Sequence, residues 1–317
     1  MGLDSSSLGR LTLGRQSVWW SNGTLIQHST NFINTHVPYW NGAQGRLTSG
    51  ITRQSNVVQY TTPSFAGVNA SLSYSPDTGA GGAAGSNGFV NAESLQAVAS
   101  TNARLYGATL RGAWGPIGVQ YDYAVKRTVS GLTNLVTSSE LLNGTTVASV
   151  GAATGSFNVR PKNVDHKLLL GWTYRPGGQI VLAATRLQAY DWNAITTDDL
   201  SQYSYGVVWE HVMGNFQFLG QYGRTTKVSG CSGFATGRSG IRTQTVCDDS
   251  RSQSYTAAVR YLMSKRTSVY VSYNKIHNER NQWADYTGAS YTSGPITASN
   301  ARGGDPRVIG VGILHNF

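Results

Sequence analysis

Hydrophobic and polar residues alternate one by one in many segments of the chain. In one such segment Val119, Tyr121, Tyr123 and Val125 alternate with Gln120, Asp122, Ala124 and Lys126. The same period of two occurs in residues 166–175 and 202–212. Successive side chains of a β-strand point to opposite faces of its sheet, so the pattern predicts strands with one apolar and one polar face.

Short turns and long polar segments alternate between the predicted strands. Turns of hairpin length occur at 63–67, 115–118, 176–179, 213–215 and 264–266. Long segments rich in Gly, Ser, Thr and Asn separate these hairpins, at 76–103, 128–165, 191–201, 226–253 and 278–304. With a strand at 8–16 and a closing strand that reaches Phe317, we count twelve strands. Short turns on one side and long loops on the other are typical of transmembrane antiparallel β-barrels.

Composition agrees with a barrel and excludes a helical membrane protein. Mean hydropathy is −0.26 and charged residues make up only 13% of the 317 residues. No run approaches the ~18–20 apolar residues that a spanning helix needs, whereas a spanning strand needs only ~9–11. Aromatic residues also occupy the apolar face near strand ends, where a membrane interface is expected, at Trp114, Trp172, Tyr174, Phe216 and Tyr261.

The net charge and the cysteines bear on which partners the protein binds and on the redox compartment in which it folds. The net charge is +10, but Lys and Arg are scattered rather than clustered, which argues against nucleic acid as a partner. Cys231 and Cys247 lie in one polar segment and fit no metal motif. They are either two free thiols or a disulfide formed in an oxidising compartment, and we favour the disulfide. The first ten residues do not form a secretory signal.

Three segments resemble the general porins of Gram-negative bacteria, most closely the anion-preferring branch of betaproteobacteria. "LGRLTLGRQ" (8–16) resembles the strand that leads into the porin constriction loop, and "RQSNVVQYTTPSFAGVNASLSYS" (53–75) resembles the hairpin that leaves it. "VGILHNF" (311–317) resembles the closing strand. The resemblance implies an outer-membrane pore for passive diffusion of small hydrophilic solutes, in a single domain over 1–317, without a cofactor or a metal.

The family pattern also raises an expectation about the start of the chain. Family porins are trimers of sixteen-stranded barrels whose constriction loop follows the fifth strand. Here the corresponding loop, 17–52, follows the first predicted strand. We therefore expect that four N-terminal strands and a signal peptide are missing, and we prefer this to a complete twelve-stranded barrel. A homotrimer is the family expectation, in doubt for a truncated chain.

The segment 17–52 is the predicted constriction loop, and it is basic. It contains no Asp or Glu, but it contains His28, His36 and Arg46, with Arg53 just beyond it. Because rings of charge set the selectivity of pores, this composition predicts a preference for small anionic solutes. We expect Arg46 and Arg53 at the constriction with Arg111 on the facing wall; alternatively, each is an ordinary solvated arginine.

Strand parity adds a set of charges that we expect to face the lumen. The cations are Lys126, Lys167, Arg175, Arg186 and Arg260, and the only inward acids expected within strands are Asp122 and Glu210. One such charge ~6 Å from an ion at an effective dielectric of ~20–80 shifts the energy of that ion by roughly 1–3 kcal/mol. Several together would bias passage toward anions.

Two other functions share this fold class. A substrate-specific uptake channel would differ from a diffusion porin only in a ladder of binding residues inside the pore. A twelve-stranded outer-membrane enzyme would need a nucleophile or an acid pair beside an oriented His. None of the six His residues lies in a recognisable catalytic or metal spacing, which disfavours an enzyme.

Overall fold

The computed structural model describes residues 1–18, 53–76, 104–127, 162–190, 199–230, 248–280, 282 and 303–316. Within these residues the chain forms one antiparallel sheet of 13 strands. The strands are β1 (Gly2–Ser5), β2 (Gly9–Ser17), β3 (Arg53–Thr61), β4 (Val68–Ser75), β5 (Arg104–Trp114), β6 (Ile117–Arg127), β7 (Lys162–Arg175), β8 (Gly178–Tyr190), β9 (Leu200–Met213), β10 (Phe216–Thr225), β11 (Ser252–Leu262), β12 (Thr267–Asn278) and β13 (Arg307–His315). No helix in these ranges is long and apolar enough to cross a membrane.

Each strand pairs with the next one along the chain, so the sheet order is β1 to β13. The all-β architecture predicted from the alternation is confirmed. The hairpins β5–β6, β7–β8 and β9–β10 close at the predicted turns, where Gly115, Gly177 and Gly214 adopt positive φ angles of 54°, 74° and 57°. Glycine adopts this backbone conformation without a steric penalty, which explains its position in these tight connections.

The described residues form one strand more than the twelve that were predicted. Residues before the first predicted strand form the short strand β1, which folds back on β2 and pairs Gly2 with Thr12 and Ser5 with Gly9. A strand of four residues is too short for alternation to reveal it. The β1–β2 turn lies at the same end of the sheet as the other short turns, since neighbouring strands are antiparallel.

One face of the sheet is buried and the other is exposed. On β6, Gln120 and Asp122 are fully buried while Tyr121 between them is exposed. On β13 the exposed face consists of Ile309, Val311 and Ile313, which are 73%, 71% and 71% exposed. We call the buried face the inner face and the exposed one the outer face. Burial of a polar face beneath an exposed apolar face indicates a sheet rolled around its inner face, as in a barrel.

Aromatic side chains gather on the outer face at the ends of the strands that carry the short turns. Phe216 and Tyr261 pair across β10 and β11 with ring centroids 5.0 Å apart. Trp114 Nε1 donates a hydrogen bond to the Ala66 carbonyl at 3.0 Å. Trp172 lies 5.7 Å from Tyr174, centroid to centroid. Such amphipathic rings suit the boundary between lipid and water.

Candidate functional site

A row of polar residues crosses the inner face at right angles to the strands. The strand register places six of its members side by side on β5 to β10: Thr109, Asp122, Lys167, Thr185, Ser204 and Thr225. All six side chains are buried. The row is the polar band of the wall that faces the interior of the rolled sheet.

The centre of this row is a buried ion pair. Lys167 Nζ lies 3.2 Å from Asp122 Oδ2, and both side chains are 0% exposed. Thr109 Oγ1 and Gln120 Nε2 donate hydrogen bonds to the two Asp122 oxygens at 2.6 Å and 2.7 Å. The half-buried Arg111 on the inner face of β5 is close enough to be attracted by the Asp122 charge.

This geometry corrects the expected role of two lumen charges. Asp122 and Lys167 were expected to face water, and both lie on the inner face, but they are covered there and neutralise one another. A paired and buried charge acts weakly on a passing ion because the field of its partner cancels most of its own. The pair therefore holds the wall together rather than setting its charge.

A second polar network lies on the inner face near the short-turn ends of β9 to β12. Gln217 Nε2 donates a hydrogen bond to Glu210 Oε1, and Arg260 Nη1 donates to Gln217 Oε1 at 3.5 Å. Arg260 Nε also donates to Ser268 Oγ at 2.7 Å. The amide of Gln217 thus links the Glu210 carboxylate to the Arg260 guanidinium, which also contacts Ser268.

Neutral partners of these charges were not singled out from the sequence. Thr109, Gln120 and Gln217 carry no charge, and a period of two shows only that they share the polar face. Their hydrogen bonds to Asp122 and Glu210 depend on cross-strand register, which alternation alone does not specify.

Arg186 does not face the lumen. It pairs with His166 on β7 and with the exposed Tyr203 on β9, both on the outer face, and its guanidinium carbon lies 5.3 Å from the centre of the Tyr203 ring. Both faces of β8 carry apolar residues, so its alternation did not distinguish inside from outside. A cation–π contact stabilises an arginine at this lipid-facing position.

The remaining predicted site residues are spread along the wall or fall outside the described ranges. Lys126 is half-buried on the inner face near the long-loop end of β6, and Arg175 is exposed beside the short β7–β8 turn. Arg53 is the first residue of β3 and pairs with Ser17. The positions outside the described residues are His28, His36, Arg46, Cys231, Cys247 and Phe317. Neither the predicted constriction nor the predicted disulfide is therefore tested by the geometry.

Charges on the inner strand faces nearly balance, in contrast to the predicted excess of cations. Apart from Arg15, in the bulge between β2 and β3, and Arg175, just after the irregularity at Tyr174, the described strands place these cations and carboxylates inward: Arg10, Arg111, Lys126, Lys167 and Arg260 with Asp4, Asp122, Asp165 and Glu210. Asp165 was assigned to a loop because β7 begins four residues earlier than predicted, at Lys162. The expectation of only two inward acids is wrong.

The inner face also has an apolar part. Leu169, Val181, Val208, Leu219 and Ile276 are each at most 3% exposed and belong to one cluster that extends from β7 to β12. The inner face of these strands is therefore only partly polar. The cluster gives these strands a packed interior between the polar row and the Glu210 network.

The chain turns toward the inner face directly after β2. Val18 is only 2% exposed, and its Cγ1 lies 2.8 Å from the position that a Cβ on Gly107 would occupy. Gly107 belongs to the inner face of β5, and Ser73 of β4 lies beside it. Val18 therefore packs over β4 and β5 at the point where the predicted constriction loop begins, and the absence of a side chain at Gly107 makes room for it.

The chain forms one antiparallel sheet with a largely polar inner face, an apolar outer face and aromatic strand ends. These features define the wall of a membrane-spanning β-barrel. A family model described as Gram-negative porin matches residues 1–281. The chain belongs to this family. It is a porin of the bacterial outer membrane, which forms a water-filled channel for small hydrophilic solutes and ions.

Solved structures share the fold at low sequence identity. An anion-selective porin from Comamonas acidovorans is 17% identical with a TM-score of 0.61, and the match covers 100% of this chain and 76% of that one. OmpF of Salmonella typhi, solved in complex with daunomycin, is 13% identical with a TM-score of 0.54 and coverage of 100% and 76%. The trimer form of OmpT from Vibrio cholerae is 11% identical with a TM-score of 0.54 and coverage of 97% and 77%. No curated protein sequence matches the chain.

Proposed function

We propose that this porin is an anion-preferring diffusion channel rather than an enzyme, and that the segment 17–52 is its constriction loop. The observation that carries the proposal is the direction of the chain at Val18, which leaves β2 and packs on the inner face over Gly107. A segment that starts inward and is 36 residues from 17 to 52 is long enough to cross the pore.

The charge of this segment decides the preference because the wall contributes little. Inner cations and carboxylates of the described strands nearly balance, and Asp122 and Lys167 cancel each other. The segment 17–52 contains Arg46, His28 and His36 but no carboxylate, and Arg53 follows it. Screening at ~0.15 M salt limits each charge to about 8 Å, so charges at the narrowest point dominate.

Reversal potentials in planar bilayers under a salt gradient test the proposal. The wild-type channel is expected to be more permeable to chloride than to potassium. The double variant Arg46→Glu/Arg53→Glu should lower the chloride-to-potassium permeability ratio at least threefold, because each substitution exchanges a cation for an anion. The matched control Lys265→Glu/Arg266→Glu makes the same exchange in the exposed β11–β12 turn and should change the ratio less than twofold.

Two results would count against parts of the proposal. A wild-type preference for cations would refute the anion assignment, and an unchanged ratio in the Arg46/Arg53 variant would remove those residues from the constriction. Saturation of the conductance by one solute at low concentration would favour a substrate-specific channel.

We also propose a homotrimer from the family membership, which light scattering of the detergent-solubilised protein would test.

A further inference from the structure

Basic residues collect on the outer face at the ends of the strands that carry the long loops. The register places seven of them there, on β5 to β13: Arg104, Arg127, Lys162, Arg186, Arg224, Lys275 and Arg307. All carboxylates within the described strands lie on the inner face instead. Much of the net charge of +10 is thus located outside the barrel wall at one rim.

Three of these cations stand directly opposite one another. Arg104 pairs with Arg127 across β5 and β6, and Arg127 pairs with Lys162 across β6 and β7. Both arginines are exposed, and within the described part of the chain no carboxylate forms an ion pair with any of the three. Like charges at directly opposed positions destabilise a sheet unless anions lie between them.

Aromatic side chains and a second tier of cations extend this row toward the membrane. Lys162 Nζ lies 4.2 Å from the centre of the Tyr190 ring. Four residues further into the strands, Arg186 stacks on Tyr203 beside His166. Tyrosine rings and the long stems of Lys and Arg contact apolar surface while their polar ends reach toward a polar boundary. The patch is therefore suited to the level of lipid headgroups.

We propose that the row Arg104–Arg127–Lys162, with Arg186 below it, binds phosphate groups of lipid headgroups in the outer leaflet. Long loops of such barrels face the cell exterior, so the row lies at the outer-leaflet boundary. Within the described residues no carboxylate pairs with the row, and lipid phosphates offer it anions, because basic side chains at a membrane surface attract anionic headgroups. The outer face of a second copy offers no complementary carboxylate in its described strands. This inference rests on the membrane location and not on the anion preference of the pore.

Lipid counting by native mass spectrometry tests the site on the full chain in dodecylmaltoside micelles. The probes are lipid A with two phosphates, lipid A with one phosphate, and phosphatidylcholine, with sodium phosphate as a competitor. The variant Arg127→Gln/Lys162→Gln should bind bisphosphorylated lipid A about 25-fold more weakly, since each basic side chain near a charged membrane surface contributes about fivefold. The control Lys265→Gln/Arg266→Gln removes two charges at the opposite end and should stay within twofold of wild type.

Each outcome decides the question. The proposal is supported if bisphosphorylated lipid A binds more tightly than the other two lipids and only the Arg127/Lys162 variant loses that preference. Equal loss in both variants, or no preference among lipids, would overturn it. Displacement by millimolar sodium phosphate would show a site for free phosphate, and a change in the number of subunits would show a contact between copies. Unchanged channel conductance in the Arg127/Lys162 variant separates this result from the proposal on the pore.

Discussion

The buried pair of Asp122 and Lys167 allows a quantitative test of how the wall is held together. Replacing Lys167 with Met removes the ammonium group and leaves the Asp122 carboxylate buried without its cation. At 3.2 Å and an effective dielectric of ~20, the lost attraction is ~5 kcal/mol. Hydrogen bonds from Thr109 and Gln120 remain and offset part of that loss, so we expect the free energy of unfolding to fall by about 3–5 kcal/mol.

The double variant Asp122→Asn/Lys167→Met distinguishes this explanation from simple loss of packing. With both charges of the pair gone, neither of them is left buried without the other, and the variant should lie within about 1–2 kcal/mol of wild type. Asp122→Asn alone removes the carboxylate charge beside the buried Lys167 ammonium and should cost about as much as Lys167→Met. The two single changes are therefore expected to be strongly non-additive.

Urea unfolding in phospholipid vesicles, followed by tryptophan fluorescence and by electrophoretic mobility without heating, measures these differences. Lys265→Met, in the exposed β11–β12 turn, removes an ordinary surface lysine and should change the free energy by less than about 0.5 kcal/mol. The reasoning fails if Lys167→Met costs less than about 1 kcal/mol, or if the double variant costs as much as the sum of the single ones.

Two further predictions concern the inner and outer faces. Gly107→Val should displace Val18 and alter the single-channel conductance, because the added side chain would meet Val18 at 2.8 Å. Gly171→Val is the control, since a Cβ at Gly171 finds no atom closer than 3.8 Å. Equal conductance in the two variants would contradict the packing of Val18. Leu168 lies on the outer face in the middle of β7, and Leu168→Arg should destabilise the barrel by about 2–4 kcal/mol. Met263→Arg, at the membrane boundary, should cost only about 0–1 kcal/mol. Urea unfolding in vesicles measures the second difference, and equal costs at the two positions would refute the assignment of the outer face to lipid.

Local sequence was sufficient for the strands and for most of the faces. A period of two is a property of each strand alone, so residues 119–126 and 202–212 revealed their inner and outer sides without knowledge of their neighbours. Turns such as Gly115–Pro116 are also local, because glycine with positive φ closes a hairpin wherever it occurs. The strand β1 escaped detection since four residues carry too little periodicity.

Arg186 shows where local pattern fails. A charged residue in a membrane strand is expected to face water. Because β8 has apolar residues on both faces, its alternation gave no sign that Arg186 lies on the outer face. The structure places Arg186 outward because its neighbours across the strands, His166 and Tyr203, provide a polar and aromatic surface near the rim. That surface is assembled from β7 and β9, which are separated from β8 by a short turn and by a long loop.

The sequence by itself determined the class of structure, the alternation of short turns and long loops, and the acid-free composition of the segment 17–52. Only the tertiary structure decided which charges meet. Cross-strand register brings Asp122 to Lys167 on the inside and Arg104, Arg127 and Lys162 together on the outside. These partners are tens of residues apart, and a shift of one residue in register would separate every pair. Periodicity specifies the face on which a charge lies, whereas its neighbours follow from how the strands are aligned.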